Sequence, residues 1–353
     1  MNALFQDQEV MDEIRSIDLQ ELFAGLNIAT PNLPVSNELD QMLEGKAVSS
    51  PWSGAMEAII KLTGRPALLV QNNTYEVPRL SVLRQRLHHQ REKIDQAITS
   101  VGRVDLVNHQ YGNVGTAWMI EENVMITNRH IADLFVLLQG DQIKFRTSPL
   151  GRAYGAKVDF NQEYQSQKAP LPIQVLKVLH LEKQGDAGLD LALLEVEASN
   201  MLPPPITLSS RRLALNDNSD VVAIGYPAWD GQRNNPFVME DIFKGIYDVK
   251  RLSPGRIAGP HPRGHIFMHD CTTLGGSSGS LIVDIASGEA IGLHFSGKFM
   301  ENNYAITSHA ILQRLAQLSS SFYFQVTAPG AGGEERRVPA PPPDMDHRTG
   351  YNP

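Results

Sequence analysis

This sequence predicts a mostly β chain behind a small, mainly helical N-terminal region, and three observations carry the prediction. From about Val104 to Ile306, short apolar runs alternate with clusters of Gly, Pro, Asn and Asp, the pattern of antiparallel strands joined by turns. Ahead of Val104 the apolar residues recur at helical intervals instead. After residue 325 the composition shifts to Gly330-Ala331-Gly332-Gly333 and Pro339-Ala340-Pro341-Pro342-Pro343, which cannot build a core and reads as linker or tail. The chain therefore divides into 1–103, 104–325 and 326–353.

Composition narrows the function classes. With 353 residues, 42% of them hydrophobic and 20% charged, the chain can bury a sizeable core. A net charge of −8 argues against nucleic acid as a partner. The single cysteine, Cys271, excludes an intrachain disulfide, which fits a reducing compartment or a bacterial secreted enzyme that manages without disulfides. Residues 1–9 lack the basic start and apolar run of a signal peptide, and no apolar stretch of about 18 residues offers a membrane span. A cytoplasmic protein without membrane contact is expected.

Each element has its own signal. Val10, Ile14, Ile17, Leu22, Phe23 and Leu26 predict an amphipathic helix or helix pair, broken by the prolines between 31 and 36. Ser49-Ser50-Pro51 reads as a helix start, with Met56, Ile59, Ile60 and Leu62 along its apolar side and Gly64-Arg65-Pro66 as its stop. Residues 67–70 and 74–77 around Gln71-Asn72-Asn73 predict a hairpin. From Pro78, Leu80, Leu83, Leu87, Ile94, Ile98 and Val101 predict one further helix. Arg84, Arg86, His88, His89, Arg91 and Lys93 lie mainly off that stripe, as a solvated face or a contact for an acidic partner. Strands are then expected at 112–120, 124–127, 173–181, 189–196 and 221–227, followed by a polar loop over 228–247. Further strands are expected at 246–252, 255–258, 281–283, 290–295 and 303–306, with a closing helix at 308–318. His261, His265 and His269 recur every four residues, but Pro260, Pro262 and Gly264 forbid the helix that would align them, so no metal is expected.

The chemistry concentrates in three segments: Thr127-Asn128-Arg129-His130-Ile131-Ala132, Gly188-Leu189-Asp190-Leu191-Ala192-Leu193-Leu194, and Thr272-Thr273-Leu274-Gly275-Gly276-Ser277-Ser278-Gly279-Ser280. A serine hydroxyl needs an adjacent base to act as a nucleophile. The base in turn needs a carboxylate to fix its tautomer. Asp186 and Asp190 compete for that last role. Asp186 lies in an exposed Gly-rich turn, whereas Asp190 leads an apolar strand that would carry it inward to a hydrogen-bonding partner, so Asp190 is preferred. The glycines of the serine segment permit positive φ and close approach to a ligand.

The order His, Asp, Ser resembles the trypsin-like serine peptidases. The chain is most similar to their bacterial, disulfide-free branch, which includes the glutamyl endopeptidases. Gly112–Ile120 resembles the Gly-Thr-Gly-Phe strand of that family, and Gly276-Ser277-Ser278-Gly279 its Gly-x-Ser-Gly motif. The resemblance covers about 104–320 and implies two six-stranded antiparallel β-barrels with a C-terminal helix. It implies Ser278 as nucleophile, His130 as base, Asp190 as its orienting partner, and the Gly276 and Ser278 N–H groups as oxyanion hole. It also implies an endopeptidase acting on protein substrates without cofactor or metal. The specificity pocket would be built from Thr272, Thr273, His294, Phe295 and Ser296. Thr272 at its base carries no carboxylate to select Lys or Arg. His294 with Thr273 would hold an acidic side chain as in the glutamyl endopeptidases, or His294 only packs and the pocket takes a small or apolar residue. Ser277 stands where trypsin-type activation needs an aspartate, so control is expected to run through residues 1–103, by a regulatory protein partner or by docking on a barrel. In some bacterial proteins a domain of this kind precedes an effector domain, such as a nuclease. The alternative is an inactive peptidase-fold scaffold or a recruiting module.

Overall fold

The computed structural model describes residues 6–17, 63–140, 142–183, 185, 188–214, 217–229, 236–297 and 302–318. The helix expected over 49–62, Asp186 and the tail from 326 onward lie outside the described residues.

Two closed six-stranded antiparallel barrels form the body of the protein. The first joins β3 (Val101–Val107), β4 (Asn113–Glu121), β5 (Val124–Thr127), β8 (Gly155–Asp159), β9 (Pro172–Leu181) and β10 (Ala192–Val196) in the order β10-β5-β4-β3-β8-β9. A separate hairpin, β6 (Val136–Gln139) and β7 (Gln142–Phe145), follows the one-turn helix α4 (Arg129–Ala132). The second barrel joins β11 (Asp220–Gly225), β12 (Arg251–Pro260), β13 (Ile266–His269), β14 (Leu281–Asp284), β15 (Ala290–Gly297) and β16 (Asn303–Thr307) in the order β11-β14-β15-β16-β13-β12, closed by β11 on β12. Helix α6 (Ser308–Leu318) ends the described chain and packs on β15 and β16.

The strands that face the other barrel are apolar on both sides, and side-chain alternation explains why. Ala117 and Met119 of β4, Met125 of β5 and Leu194 of β10 fill the first barrel. Their neighbours Trp118, Ile120, Val124, Ile126 and Leu193 point outward into a shared core with Val222, Ile224, Leu281 and Leu293 of the second. Val221 and Ala223 of β11 turn back into the second barrel. A strand buried on both faces reads as a continuous apolar run, as these do.

The N-terminal elements join this core. They are α1 (Gln8–Ser16), the hairpin β1 (Leu68–Gln71) with β2 (Thr74–Tyr75), α2 (Ser81–His88) and α3 (Arg91–Thr99). β1 pairs antiparallel with β12, Leu68 opposite Leu252, and so extends the second barrel's sheet. Leu68, Val70, Leu87, Ile94 and Ile98 lie in the inter-barrel cluster.

Four expectations need correction. The helix expected from Pro78 to Val101 is two, broken at His89 and Gln90, and Val101 already opens β3. The break lets Leu83 and Leu87 on one helix and Ile94 and Ile98 on the other all become buried. The basic residues of this stretch are a solvated face only in part: Arg84, His88, His89 and Lys93 are exposed, whereas Arg86 binds Asp7 and Arg91 stacks over Tyr75 at 4.5 Å. The polar loop over 228–247 contains helix α5 (Pro236–Phe243), whose Met239, Ile242 and Phe243 pack with Ala67 and Leu274. Finally, one strand, β12, replaces the two expected over 246–258, and it runs through Pro254 and Gly255.

Candidate active site

His130 sits on α4, immediately after β5, where the chain leaves the first barrel at its seam with the second. Asp190 directly precedes Leu191 and β10, which pairs with β5, Ala192 opposite Thr127. Strand pairing thus brings two residues sixty positions apart side by side. Asp190 accepts hydrogen bonds from the His130 backbone N–H at 3.0 Å through Oδ1, and its Oδ2 lies 2.6 Å from His130 Nδ1. Asn128 adds a third tie, its side-chain amide donating to the Asp190 carbonyl at 3.0 Å. The carboxylate is less interior than its apolar flanks imply: the Asp190 side chain is 25% exposed and that of His130 is 48% exposed. The pair is therefore partly open to solvent.

Ser278 lies on the loop between β13 and β14. That loop is stitched to the first barrel by Thr116 of β4. The Thr116 N–H donates to the Ser278 carbonyl at 2.9 Å, and its hydroxyl donates to the Gly276 carbonyl at 3.3 Å while accepting from the Tyr226 N–H at 3.1 Å. Gly276 has φ +79°, and a Cβ there would meet the Tyr226 carbonyl at 2.6 Å. Gly279 has φ +84°, and a Cβ there would meet the Thr116 carbonyl at 1.9 Å. No other residue fits either place without strain. On the far side, the Gly279 N–H donates to the His294 carbonyl at 2.8 Å. Among the described residues, the N–H groups of Gly276 and Ser278 donate to no backbone carbonyl.

The expected pocket residues divide into two groups. Thr272, Thr273 and His294 are buried within a polar network. The Thr272 hydroxyl donates to the Arg65 carbonyl at 2.6 Å, and the Thr273 hydroxyl donates to Asn303 Oδ1 at 2.8 Å. Asn303 in turn donates to the Cys271 carbonyl at 2.6 Å. His294 Nδ1 lies 3.2 Å from Nε2 of the buried His269. Burial pushes the pKa of His294 well below the usual imidazole range, and the nearby His269 and His130 push it the same way. Phe295, one residue on, packs against the inter-barrel core instead, and Ser296 is exposed. Ser277 is buried and its Oγ accepts from the Leu274 N–H at 3.2 Å.

Thr116, Arg65, His269 and Asn303 join this site although the sequence assigns none of them a role in it. Thr116 carries a local signal, as the Thr of the Gly115-Thr116 pair. The others carry none, because each reaches the site through tertiary pairing. Among the described residues, no three His, Cys, Asp or Glu side chains are grouped so as to hold a metal, and no helix is long and apolar enough to cross a membrane.

The chain is similar to known proteins. The family model described as trypsin-like peptidase domain matches residues 115–293, which include His130, Asp190 and Ser278. A probable serine protease of Lysobacter enzymogenes is 27% identical over 252 residues, 65% of this chain and 65% of that protein. The chain thus spans about two thirds of that relative's length. Among solved structures, Deg5 is 20% identical, with 68% of this chain and 96% of that one aligned at a TM-score of 0.45. The Rv3671c protein of M. tuberculosis is 18% identical, with 65% and 91% aligned at 0.39.

Proposed function

From the premise that this chain belongs to the trypsin-like peptidases, we propose that it is a serine endopeptidase using Ser278, His130 and Asp190. The observation that carries the reading is the doubly held His130, with Nδ1 at 2.6 Å and backbone N–H at 3.0 Å from the two oxygens of Asp190. That contact commits Nδ1 to Asp190 and leaves Nε2 as the basic nitrogen.

The mechanism follows from these positions. Ser278 Oγ attacks the substrate carbonyl carbon as its proton passes to His130 Nε2. Asp190 stabilises the imidazolium that forms. The oxyanion binds the N–H groups of Gly276 and Ser278, each such donor contributing roughly 3–4 kcal/mol in the transition state. His130 then protonates the leaving amine, the C–N bond breaks, and an acyl-enzyme remains on Ser278. Water, deprotonated by His130, releases the acid and restores the serine.

The pocket reading has two parts. Selection of Lys or Arg is disfavoured, because Thr272 carries no charge and the nearest carboxylate, Asp270, is fully buried against Arg65 at 2.9 Å. A small or apolar side chain is favoured over an acidic one. The Thr273 hydroxyl is already donated to Asn303, and His294 is held neutral, so a carboxylate would have to displace one bond and recruit a proton. Control through residues 1–103 and a cytoplasmic site of action belong to the same reading, the first supported by the uncharged Ser277 and the second by the single buried Cys271.

Labelling with a fluorophosphonate tests the assignment. Full-length protein is expected to label at Ser278 and to lose labelling and proteolysis in Ser278→Ala and His130→Ala, with the double variant little worse than either. A chain that neither labels nor cleaves under any condition would instead be a scaffold. A peptide library then reads the pocket: cleavage mainly after Lys or Arg refutes the argument from Thr272 and Asp270, and cleavage after Asp or Glu refutes the assignment of His294 as neutral.

A further inference from the structure

The floor of the specificity pocket is tied to a residue from the chain ahead of both barrels. Arg65 is fully buried. Its carbonyl accepts the Thr272 hydroxyl at 2.6 Å, and its Nη2 pairs with Asp270 Oδ2 at 2.9 Å, so it grips the floor segment at two residues of alternate spacing. The opposite oxygen of Asp270 accepts the Arg256 N–H at 2.6 Å. Outward from the pocket, the same Arg65 nitrogen reaches Asp7 at 3.1 Å, and Arg86 and Arg256 meet Asp7 and Asp220. Three guanidinium groups thus meet four carboxylates, Asp7, Glu9, Asp220 and Asp270, between the pocket floor and α1.

The charges are matched to this burial. Burial disfavours the charged form of Asp7, but Arg86, Arg65 and Arg256 outweigh it and hold Asp7 down to about 2. Burial likewise disfavours charge on Arg65, and Asp270 and Asp7 more than offset it, leaving its pKa above the usual arginine range. A buried pair that stays ionised has its geometry fixed by its partners, since moving either charge away leaves the other uncompensated. Two consequences follow for substrate. The Thr272 proton points at Arg65 and not into the pocket. The Asp270 carboxylate, which would otherwise favour a cationic side chain, is neutralised from behind.

We propose that Arg65 is a positioning residue of the primary specificity pocket, setting the floor segment Asp270–Thr272 from outside the two barrels. The proposal rests on the reading of Ser278 as nucleophile and deepens it, because it makes part of the N-terminal region a component of substrate selection.

The test uses full-length protein and three readouts: kcat and KM on peptides varied at the residue before the cut, the rate of labelling by a small fluorophosphonate with no side chain to seat, and Tm. Arg65→Met keeps the backbone carbonyl that receives the Thr272 hydroxyl and removes the ion pair with Asp270, and is expected to raise KM on the best peptide about tenfold. It should also flatten the preference among peptides and leave the labelling rate within about twofold. Arg65→Lys, which keeps the charge but not the fork, should recover part of the preference. Asp7→Asn breaks the same cluster on its outer side, so it should lower Tm with the preference intact. Should Arg65→Met fail to fold, Arg65→Met with Asp270→Asn removes both charges and is read in the same way. Unchanged KM and preference in the Arg65 variants would overturn the proposal. So would a KM change matched by equal losses of labelling and Tm, or an equal loss of preference in Asp7→Asn. If the unaltered protein does not label at Ser278, the peptidase assignment fails first, and the two failures are distinguishable.

Discussion

Removing residues 1–103 should unfold the barrels, although the whole matched family segment would remain. Leu68, Val70, Tyr75, Leu87, Ile94, Ile98 and Val101 lie in one cluster with residues of both barrels. Burying a large apolar side chain contributes about 1.5–3 kcal/mol, so these seven contribute on the order of 10–20 kcal/mol. Roughly half of that is apolar surface that would stay behind, bared, on the barrels. A loss of about 5–10 kcal/mol compares with about 5–15 kcal/mol for the whole stability of a typical domain. Polar partners would go too. The buried Lys250 ammonium loses the Ile98 carbonyl at 3.0 Å, and the Arg251 guanidinium loses the Ala67 carbonyl at 2.6 Å. The assay compares a chain of residues 104–325 with one of residues 63–325, by circular dichroism melting and fluorophosphonate labelling. The shorter chain is expected to show no cooperative melt and no labelling, while the longer retains both. A 104–325 chain with the melting temperature of the full protein would refute the reasoning, because the seven side chains would then contribute nothing to the barrels.

Two further outcomes follow from single contacts. Asp190→Asn removes the charge beside His130 Nδ1 while keeping an oxygen for its backbone N–H; kcat/KM should fall by about 10³–10⁴ with Tm nearly unchanged, and a fall of less than tenfold would exclude the orienting role. Burial lowers the pKa of Lys250 from 10.5 to about 8, so between those values the unfolded chain binds more protons than the native one and stability rises with pH. The penalty is full below about 8 and gone above 10.5, so the stability of the native chain relative to Lys250→Met should climb across that window in denaturant titrations. A flat difference would show that Lys250 does not titrate in that range.

The residues proposed for catalysis are marked in the sequence by signals that are local in type. His130 follows a strand, Asp190 leads one, and Ser278 sits among glycines that only a tight, positive-φ loop requires. The helix at 236–243 was legible in principle, from the three- and four-residue spacing of Met239, Ile242 and Phe243. Polar neighbours and the turn residues around it masked that signal. The break between α2 and α3 has no Pro or Gly to announce it; Leu87 and Ile94 needing the same core decides it.

By itself the sequence determined the strand pattern, the order of the three residues proposed for catalysis and the absence of a carboxylate at Thr272. These depend on residue type and short-range spacing, which the chain carries along its length. Only the tertiary structure decided that the N-terminal hairpin pairs with β12, that Thr116 stitches one barrel to the loop of the other, and that Arg65 lies beneath Thr272. Those contacts join residues as much as 207 positions apart. Arg86 reads as solvent-facing because isolated charge belongs in water, and Arg65 reads only as part of a helix stop. Their burial becomes favourable only when Asp7, Asp220 and Asp270, each from a different part of the chain, arrive together to receive them.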